Sequence, residues 1–146
     1  MVTSRFEVTV HRPVDEVFAV LSDVENTPTW HPSAIEERFT SDGPVGVGST
    51  RRSVGRAFGI RVENEAEVTV FEPDQALSLR SIDSPVPFEI SIVLTPADDG
   101  TRIVWTEELS PTGVVSVIVR ATKRLHDAQT AKGLERLKSL MESGEL

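Results

Sequence analysis

The segment VVSVIVRATKRLHDAQTAKGLERLKSLM, residues 114–141, decides the fold, because apolar residues recur through it at helical spacing. As one continuous helix it would be roughly 40 Å long at ~1.5 Å per residue. Its first six residues, VVSVIV, are rich in β-branched side chains and would favour a strand in isolation. We nevertheless predict a helix there, since no breaker separates them from the helical pattern that follows. The predicted inward stripe consists of Val114, Val117, Ile118, Ala121, Leu125, Ala128, Leu134, Leu137 and Met141.

The residues before this helix predict an antiparallel sheet. Alternation of apolar and polar side chains is clearest in IRVENEAEVTVFE, residues 60–72, where Val62, Ala66, Val68 and Val70 share one face. The same alternation, together with turn signals, predicts seven strands at residues 3–10, 33–40, 50–54, 60–72, 76–82, 87–95 and 101–109. We expect a loop at 43–49, a turn at 55–59 and an Asp-Gly hairpin turn at 96–100.

Two short helices are predicted between the first and second strands. Pro13 suits the first turn of a helix, where its missing N–H leaves no hydrogen bond unmade. Ser22 or Asp23 can cap a second helix, which Pro28 and Pro32 end near residue 30. A twisted sheet of seven strands can curl around the long C-terminal helix and leave a cavity between them. The sequence therefore predicts an α+β fold in one domain over residues 1–146.

Composition and charge exclude several classes of function. The net charge of -8 opposes binding to nucleic-acid phosphates or anionic lipid, and the absence of cysteine excludes disulfides and thiolate chemistry. No apolar run approaches the ~20 residues that span a bilayer. Residues 1–6 lack the pattern of a secretory signal. We expect a cytoplasmic monomer or homodimer with no nucleic-acid partner and no stable membrane insertion.

Five segments carry a resemblance to a known family. They are RPVDEVFAVLSDVENTPTWHP (12–32), GPVGVGST (43–50), EVTVFEPDQALSLRS (67–81), DDGTRIVWTEEL (98–109) and GLERLKSLMES (133–143). In this order they resemble the polyketide cyclase/dehydrase-like proteins of the SRPBCC superfamily, which includes START domains and birch-pollen allergens. The resemblance implies a helix-grip fold, in which the curved sheet wraps around the C-terminal helix. It implies a small hydrophobic ligand, whereas fold alone does not supply the chemistry.

Strand parity predicts which side chains line the cavity. Asn64 lies on the otherwise apolar face of the clearest strand, so it needs a hydrogen-bond partner or a ligand. In the last strand, Ile103 and Trp105 are predicted to face inward because Arg102 should face solvent. The predicted ligand contacts are Trp30, Arg52, Asn64, Leu79, Ser81, Phe88, Ile90, Ile92, Trp105, Ile118 and Thr122.

Three residues, Arg52, Glu107 and His126, are candidates for catalysis. Arg51 and Arg52 are adjacent, so one should face the cavity, and Arg52 shares parity with Val54. A buried arginine can polarise a carbonyl or bind a ligand carboxylate. Glu107 should point inward near the end of its strand, where it reaches Arg52 or water; a half-exposed carboxylate is the alternative. His126 lies on a helix flank beside the main stripe, and an exposed or hydrogen-bonded histidine is the alternative.

The corner TPTWHP, residues 27–32, contains Trp30 and His31 between two prolines. We interpret Trp30 as a packing plug that also shapes one end of the cavity. We interpret His31 as a solvent-facing loop residue, because no nearby carboxylate in the sequence orients it. The three histidines are far apart in sequence and form no HxH or HExxH motif, and Gly-rich nucleotide motifs are missing. The sequence therefore predicts neither a metal site nor a cofactor.

Three hypotheses of function follow from these patterns. The first is a carrier or sensor of a small hydrophobic molecule, such as a lipid, an isoprenoid or a polyketide-like compound. The second is an enzyme of the polyketide cyclase/dehydrase type, which requires the polar candidates to converge on one point. Family members that cyclise polyketides are expected to use an arginine with tyrosines, and this chain has no tyrosine. The third is an interaction domain that dimerises through residues 114–119.

Overall fold

The computed structural model covers residues 1–146 and contains seven strands and three α-helices. The strands are β1 (Val2–Val10), β2 (Ala34–Phe39), β3 (Thr50–Ala57), β4 (Ile60–Glu72), β5 (Ala76–Asp83), β6 (Phe88–Ala97) and β7 (Gly100–Leu109). The helices are α1 (Val14–Ser22), α2 (Thr27–Trp30) and α3 (Gly113–Glu142), with a 3₁₀ turn at Val24–Asn26. The predicted strands and the long helix are confirmed. None of the helices is long and apolar enough to cross a membrane.

The seven strands form one antiparallel sheet in the order β1-β7-β6-β5-β4-β3-β2. The segment containing α1 and α2 carries the chain from β1 at one edge to β2 at the other. The sheet curls into a half-barrel around α3, which is the helix-grip fold.

Two apolar clusters hold the sheet against the helices. The larger cluster joins the centre of the sheet to α1 and to the C-terminal half of α3; Ile103 and Leu137 are both fully buried in it. The smaller cluster lies under the N-terminal half of α3 and includes Phe58 and Val119. Members of both clusters line one cavity, so the space between them is where the apolar packing is incomplete.

The predicted inward stripe of α3 is correct only in its C-terminal half. Leu134, Leu137 and Met141 are buried, whereas Val114, Val117, Ala121, Leu125 and Ala128 are exposed. Towards the N-terminus of α3, the side that contains the buried leucines continues through Thr130 and Val119, which are both fully buried. Because polar residues occupy part of the inward side, the outward aliphatic residues formed the more regular apolar pattern.

Two details of the sheet also differ from the prediction. The pairing of β4 with β5 shifts register between Val68 and Val70, so Phe71 and not Val70 packs against the core. Phe71 contacts Phe18 edge to face, with ring centroids 5.3 Å apart. The turn predicted at residues 55–59 is shorter than expected, because β3 continues to Ala57 and only two residues separate it from β4.

Candidate functional site

A cavity of about 180 Å³ lies between the sheet and α3. Sixteen of its 28 lining residues are hydrophobic, and the remaining polar residues give it hydrogen-bonding groups. Predicted contacts that do line it are Trp30, Asn64, Leu79, Phe88, Ile90, Ile92, Trp105, Glu107 and His126. A mostly apolar cavity with a few polar groups is the usual character of a small-molecule site.

Glu107 and His126 form the main polar contact of the cavity. His126 Nε2 lies 2.9 Å from Glu107 Oε2, and Trp105 Nε1 donates a hydrogen bond of 3.0 Å to Glu107 Oε1. Glu107 is only 5% exposed, and both of its carboxylate oxygens have partners inside the protein. The prediction that Glu107 points inward is confirmed, but its partners are a tryptophan and a histidine and not Arg52. His126 Nδ1 is buried and has no partner.

Phe58 and His126 stand between the cavity and the protein surface. Their rings stack, with centroids 4.4 Å apart and planes inclined by 28°. Both residues also line a second, shallower depression on the outside, next to Leu125 and Gln129. Phe58 has a φ of 56°, which is unusual for an aromatic residue and arises because it begins the two-residue turn between β3 and β4. Sequence reasoning assigned this residue only to a turn and missed its place in the site.

The buried arginine of the cavity is Arg51, so the prediction that Arg52 faces inward is wrong. Arg51 pairs across the sheet with Ala66, and directly opposite residues share a face. Arg52 instead lies 3.4 Å from Glu63, with its side chain partly exposed. Arg51 Nη1 lies 3.3 Å from Glu37 Oε1 but is not aligned for a hydrogen bond. Burial raises the pKa of Glu37, an effect that the nearby Arg51 guanidinium partly offsets.

The register of β4 could have revealed Arg51 from the sequence. Once Val62, Asn64 and Ala66 are taken as the inner face, antiparallel pairing places Ser53 and Arg51 beside them. Ser53 Oγ donates a hydrogen bond of 3.0 Å to Asn64 Oδ1, so the predicted need of Asn64 for a partner is met by a neighbouring strand. The side-chain amide nitrogen of Asn64 takes no part in this hydrogen bond and remains available to the cavity.

Three other predicted contacts lie outside the cavity. Ser81 Oγ accepts a hydrogen bond from the backbone N–H of Phe88, 3.0 Å away. Thr122 Oγ1 donates to the backbone carbonyl of Ile118 at 2.7 Å, while the Ile118 side chain packs against the smaller apolar cluster. The prediction turned the wrong side of the N-terminal half of α3 towards the sheet. This explains the error for Ile118 and Thr122.

His31 is part of the cavity wall, so its interpretation as a solvent-facing residue is wrong. Its side chain is half-buried and packs at an angle against Trp30, with ring centroids 5.7 Å apart. Gly133 of α3 permits this corner to approach closely, because a Cβ there would lie 3.3 Å from His31 Cα. Burial lowers the pKa of His31 to about 4; Glu107 opposes this shift and His126 adds to it. His31 Nδ1 accepts the backbone N–H of Ser33, 3.2 Å away.

The stability of the protein should fall as the pH drops from neutral towards 4. Unfolded His31 takes up a proton near pH 6.5 but the folded residue only near 4, so acid favours the unfolded state between these values. The shift corresponds to at most about 3 kcal/mol in the free energy of unfolding. The actual value is smaller because solvent reaches part of the ring. His31→Asn keeps an acceptor for Ser33 and should flatten this pH dependence, as measured by urea unfolding at about pH 7 and pH 5.

Comparing the native protein with the His31→Asn variant isolates the effect of His31. The raised pKa of Glu37 makes a contribution of opposite sign, since stability from that group is lost as the pH rises, but it is common to both proteins. Parallel pH profiles for the native protein and His31→Asn would contradict the assignment of this titration to His31.

No group of three His, Cys, Asp or Glu side chains is arranged to hold a metal ion. The polar side chains of the cavity are instead close to each other or to a neighbouring charge. Glu107 contacts His126, and Arg51 lies within salt-bridge distance of a glutamate. The sequence predicted Glu107 and His126 as candidates. It offered Arg51 only as the alternative to its neighbour Arg52.

Several solved structures share this fold at low sequence identity. TTHA0849 from Thermus thermophilus has a TM-score of 0.83 and 17% identity, over 99% of this chain and 100% of that one. A START superfamily protein from Mycobacterium smegmatis has a TM-score of 0.76 and 17% identity, over 95% and 98%. The Zhui aromatase/cyclase from Streptomyces sp. R1128 has a TM-score of 0.75 and 15% identity, over 95% and 94%. At these identities the likeness shows the fold alone.

The family is shown by the sequence itself. No curated protein matches the chain. A family model, however, matches residues 1–142, which is nearly the whole length. The predicted resemblance is confirmed by this match, and the curled sheet around α3 agrees with it. The chain belongs to the family described as polyketide cyclase / dehydrase and lipid transport.

Proposed function

We propose that the protein binds a small, mostly apolar molecule that carries one or more oxygen groups. The observation that supports this most is the cavity itself, whose mostly apolar lining includes buried polar atoms without a hydrogen-bond partner. These atoms are Trp30 Nε1, Arg51 Nη1 and His126 Nδ1. Buried donors and acceptors are normally hydrogen-bonded, so a ligand that supplies the missing partners would bind more tightly than a pure hydrocarbon.

The lining also indicates how the ligand would be oriented. Leu79, Phe88 and Ile92 are apolar lining residues on the central strands β5 and β6, and the Arg51 guanidinium lies 5.9 Å from the centre of the Phe88 ring. Arg51 stands on β3 near the sheet edge, and the Glu107–His126 pair joins β7 to α3. The apolar body of the ligand would lie against the central strands, with its oxygen groups near Arg51 or near the Glu107–His126 pair. The stacked Phe58 and His126 rings would be displaced as it enters.

The first test is native mass spectrometry of gently purified protein, compared with its denatured mass. We expect an additional mass that is lost on denaturation. Binding can be followed independently with the probe 1-anilinonaphthalene-8-sulfonate. Both tryptophans of the chain line the cavity, so their fluorescence should change as the probe binds.

Filling the cavity should weaken binding of that probe by about tenfold or more. Val62 lies on the inner face of β4 and lines the cavity, so Val62→Phe places an added ring where the ligand would lie. The matched control is Val93→Phe, the same substitution at an exposed position of β6 outside the cavity. Equal affinities for the two variants would place the probe elsewhere and remove the support for this site.

The second candidate function is acid–base catalysis of the polyketide cyclase/dehydrase type. The contact of 2.9 Å between Glu107 and His126 favours it, because a carboxylate that orients a histidine is a common arrangement for proton transfer. Trp105 holds the other carboxylate oxygen, which limits the rotation of the pair. Incubating the recovered ligand with fresh protein separates the two candidates. A carrier returns the ligand unchanged, whereas a dehydrase returns a product that has lost water.

The third hypothesis, a dimer formed by residues 114–119, has weaker support. Val119 is fully buried, and Val115 and Ile118 pack against the smaller apolar cluster. Only Val114 and Val117 of this segment are exposed apolar residues. Most of the segment therefore stabilises α3 on the sheet, and two exposed valines offer little apolar area for a dimer.

A further inference from the structure

The side of α3 that faces away from the sheet carries an apolar stripe with basic residues around it. Val114, Val117 and Leu125 are exposed by 77%, 68% and 59%, and two exposed alanines continue the stripe. We call these residues, together with the four exposed basic residues beside them, the outer face of α3. Its members are Val114, Val117, Ala121, Leu125, Ala128, Arg120, Arg124, Lys132 and Arg136.

The charge of this face is opposite to that of the protein. The chain has 23 acidic and 15 basic residues, yet four exposed basic residues lie on the outer face of α3 and none of them is in an ion pair. Of the two exposed acidic residues of the helix, Glu142 is bound by Lys138, and only Glu135 lies among the basic residues. The net charge of -8 opposes binding to anionic surfaces, but the local distribution on α3 favours it.

We propose that the outer face of α3 docks onto an anionic lipid surface. A helix that exposes aliphatic residues with basic residues beside them can lie in the interface plane, with its apolar side chains at the boundary of headgroups and acyl chains. The exposed basic residues, which lie on one side of the stripe and beyond its C-terminal end, would contact lipid phosphates, while Val114, Val117 and Leu125 would enter the apolar layer. This interaction is peripheral and requires no segment that crosses the bilayer.

The charges and the size of the face argue against a second copy as its occupant. Two copies meeting here would bring the four basic residues of each outer face close together, which opposes association. A stable protein interface also buries roughly 800 Å² per partner over about 20–30 residues. The outer face offers five apolar residues, two of them alanines and none of them aromatic. A fluid surface with negative charge needs neither a complementary groove nor a large contact area.

Flotation with lipid vesicles tests the proposal directly. We expect the native protein to float with vesicles of phosphatidylcholine mixed equally with phosphatidylglycerol, and not with phosphatidylcholine alone. Added salt should reduce binding, because it screens the contacts between basic side chains and lipid phosphates. Val117→Glu and Arg124→Glu should each reduce the bound fraction several-fold.

The matched control is Val47→Glu, since Val47 is 69% exposed and lies in the loop between β2 and β3. This variant should bind like the native protein, and circular dichroism should show that all variants are folded. Unchanged binding of Val117→Glu would overturn the proposal, as would absence of binding by the native protein. If sedimentation shows a dimer that Val117→Glu converts to a monomer, with no vesicle binding, the face joins two copies instead.

Discussion

Replacing His126 with leucine should lower the free energy of unfolding by about 2–3 kcal/mol at neutral pH, because a buried carboxylate loses a hydrogen-bond partner. The variant leaves Glu107 buried with the indole N–H of Trp105 as its one remaining partner. It also removes the ring on which Phe58 stacks. Urea unfolding followed by circular dichroism measures the loss. His11→Leu is the control, because His11 is exposed and the same substitution there should change stability little.

The double variant Glu107→Leu/His126→Leu should be more stable than His126→Leu alone. Removing His126 alone leaves a buried carboxylate short of a partner, whereas the double variant removes that carboxylate and leaves only the neutral indole N–H of Trp105 without an acceptor, which costs less. The difference between the double variant and the sum of the single variants measures the coupling between the two groups. Losses that simply add would show that the 2.9 Å contact has no energetic significance.

The same variants separate the two candidate functions. For a carrier, the double variant keeps an apolar cavity and should still bind hydrophobic probe, with reduced preference for ligands that contain oxygen groups. For an enzyme of the dehydrase type, it should bind ligand and form no product, because neither Glu107 nor His126 can then transfer a proton. Product formation by the folded double variant would exclude this pair from catalysis.

The second large effect is expected for Gly100→Ala, which should destabilise the protein by about 3 kcal/mol. A Cβ at Gly100 would lie 2.2 Å from the carbonyl oxygen of Val10 and 2.9 Å from His11 Cα. Both contacts are to backbone atoms, so a change of side-chain rotamer cannot relieve them. The neighbouring Thr101 is fully buried, and its Oγ1 donates a hydrogen bond of 2.9 Å to the backbone carbonyl of Arg12. The end of β1 therefore has little freedom to move away.

Gly46→Ala provides the control for this substitution. Nothing lies within 4 Å of a Cβ built at Gly46. Alanine there should leave the free energy of unfolding unchanged or raise it by less than about 1 kcal/mol, by restricting the unfolded chain. Thermal and urea unfolding of the two variants measure the contrast. A stability of Gly100→Ala equal to that of Gly46→Ala would contradict the close packing of β1 against the β6–β7 hairpin.

Local sequence patterns were sufficient for the secondary structure. The alternation in residues 60–72 predicted β4 with its observed bounds, and the run from residue 114 to 141 predicted α3 to within a residue at each end. These patterns depend on which side chains must be buried within one element, so they can be read without knowledge of its neighbours. The ordered family segments then led to the antiparallel sheet around the helix.

The site was only partly accessible to the same reasoning. Glu107 and Trp105 were predicted inward because strand parity is a local property. Arg51 was missed because its orientation depends on pairing with Ala66 of another strand. His31 was missed because its burial arises from contact with α3 at Gly133, a residue about 100 positions later in the chain. The contact of His31 with Gly133 joins residues far apart in sequence, and the pairing of Arg51 depends on the exact position of a two-residue turn, so neither appears in the periodicity of a single element.

The sequence by itself determined the elements of this protein, their order and the family to which it belongs, because these follow from periodicity, turn residues and a series of short motifs. Only the tertiary structure decided which residues meet. It brought His126 of α3 to Glu107 of β7, turned Arg51 and not Arg52 towards the cavity, and left the most regular apolar stripe of α3 on the outside. The physical reason is that burial depends on what packs against each face. In α3 polar residues occupy part of the buried side, so hydrophobicity along the chain alone could not distinguish the inside from the outside.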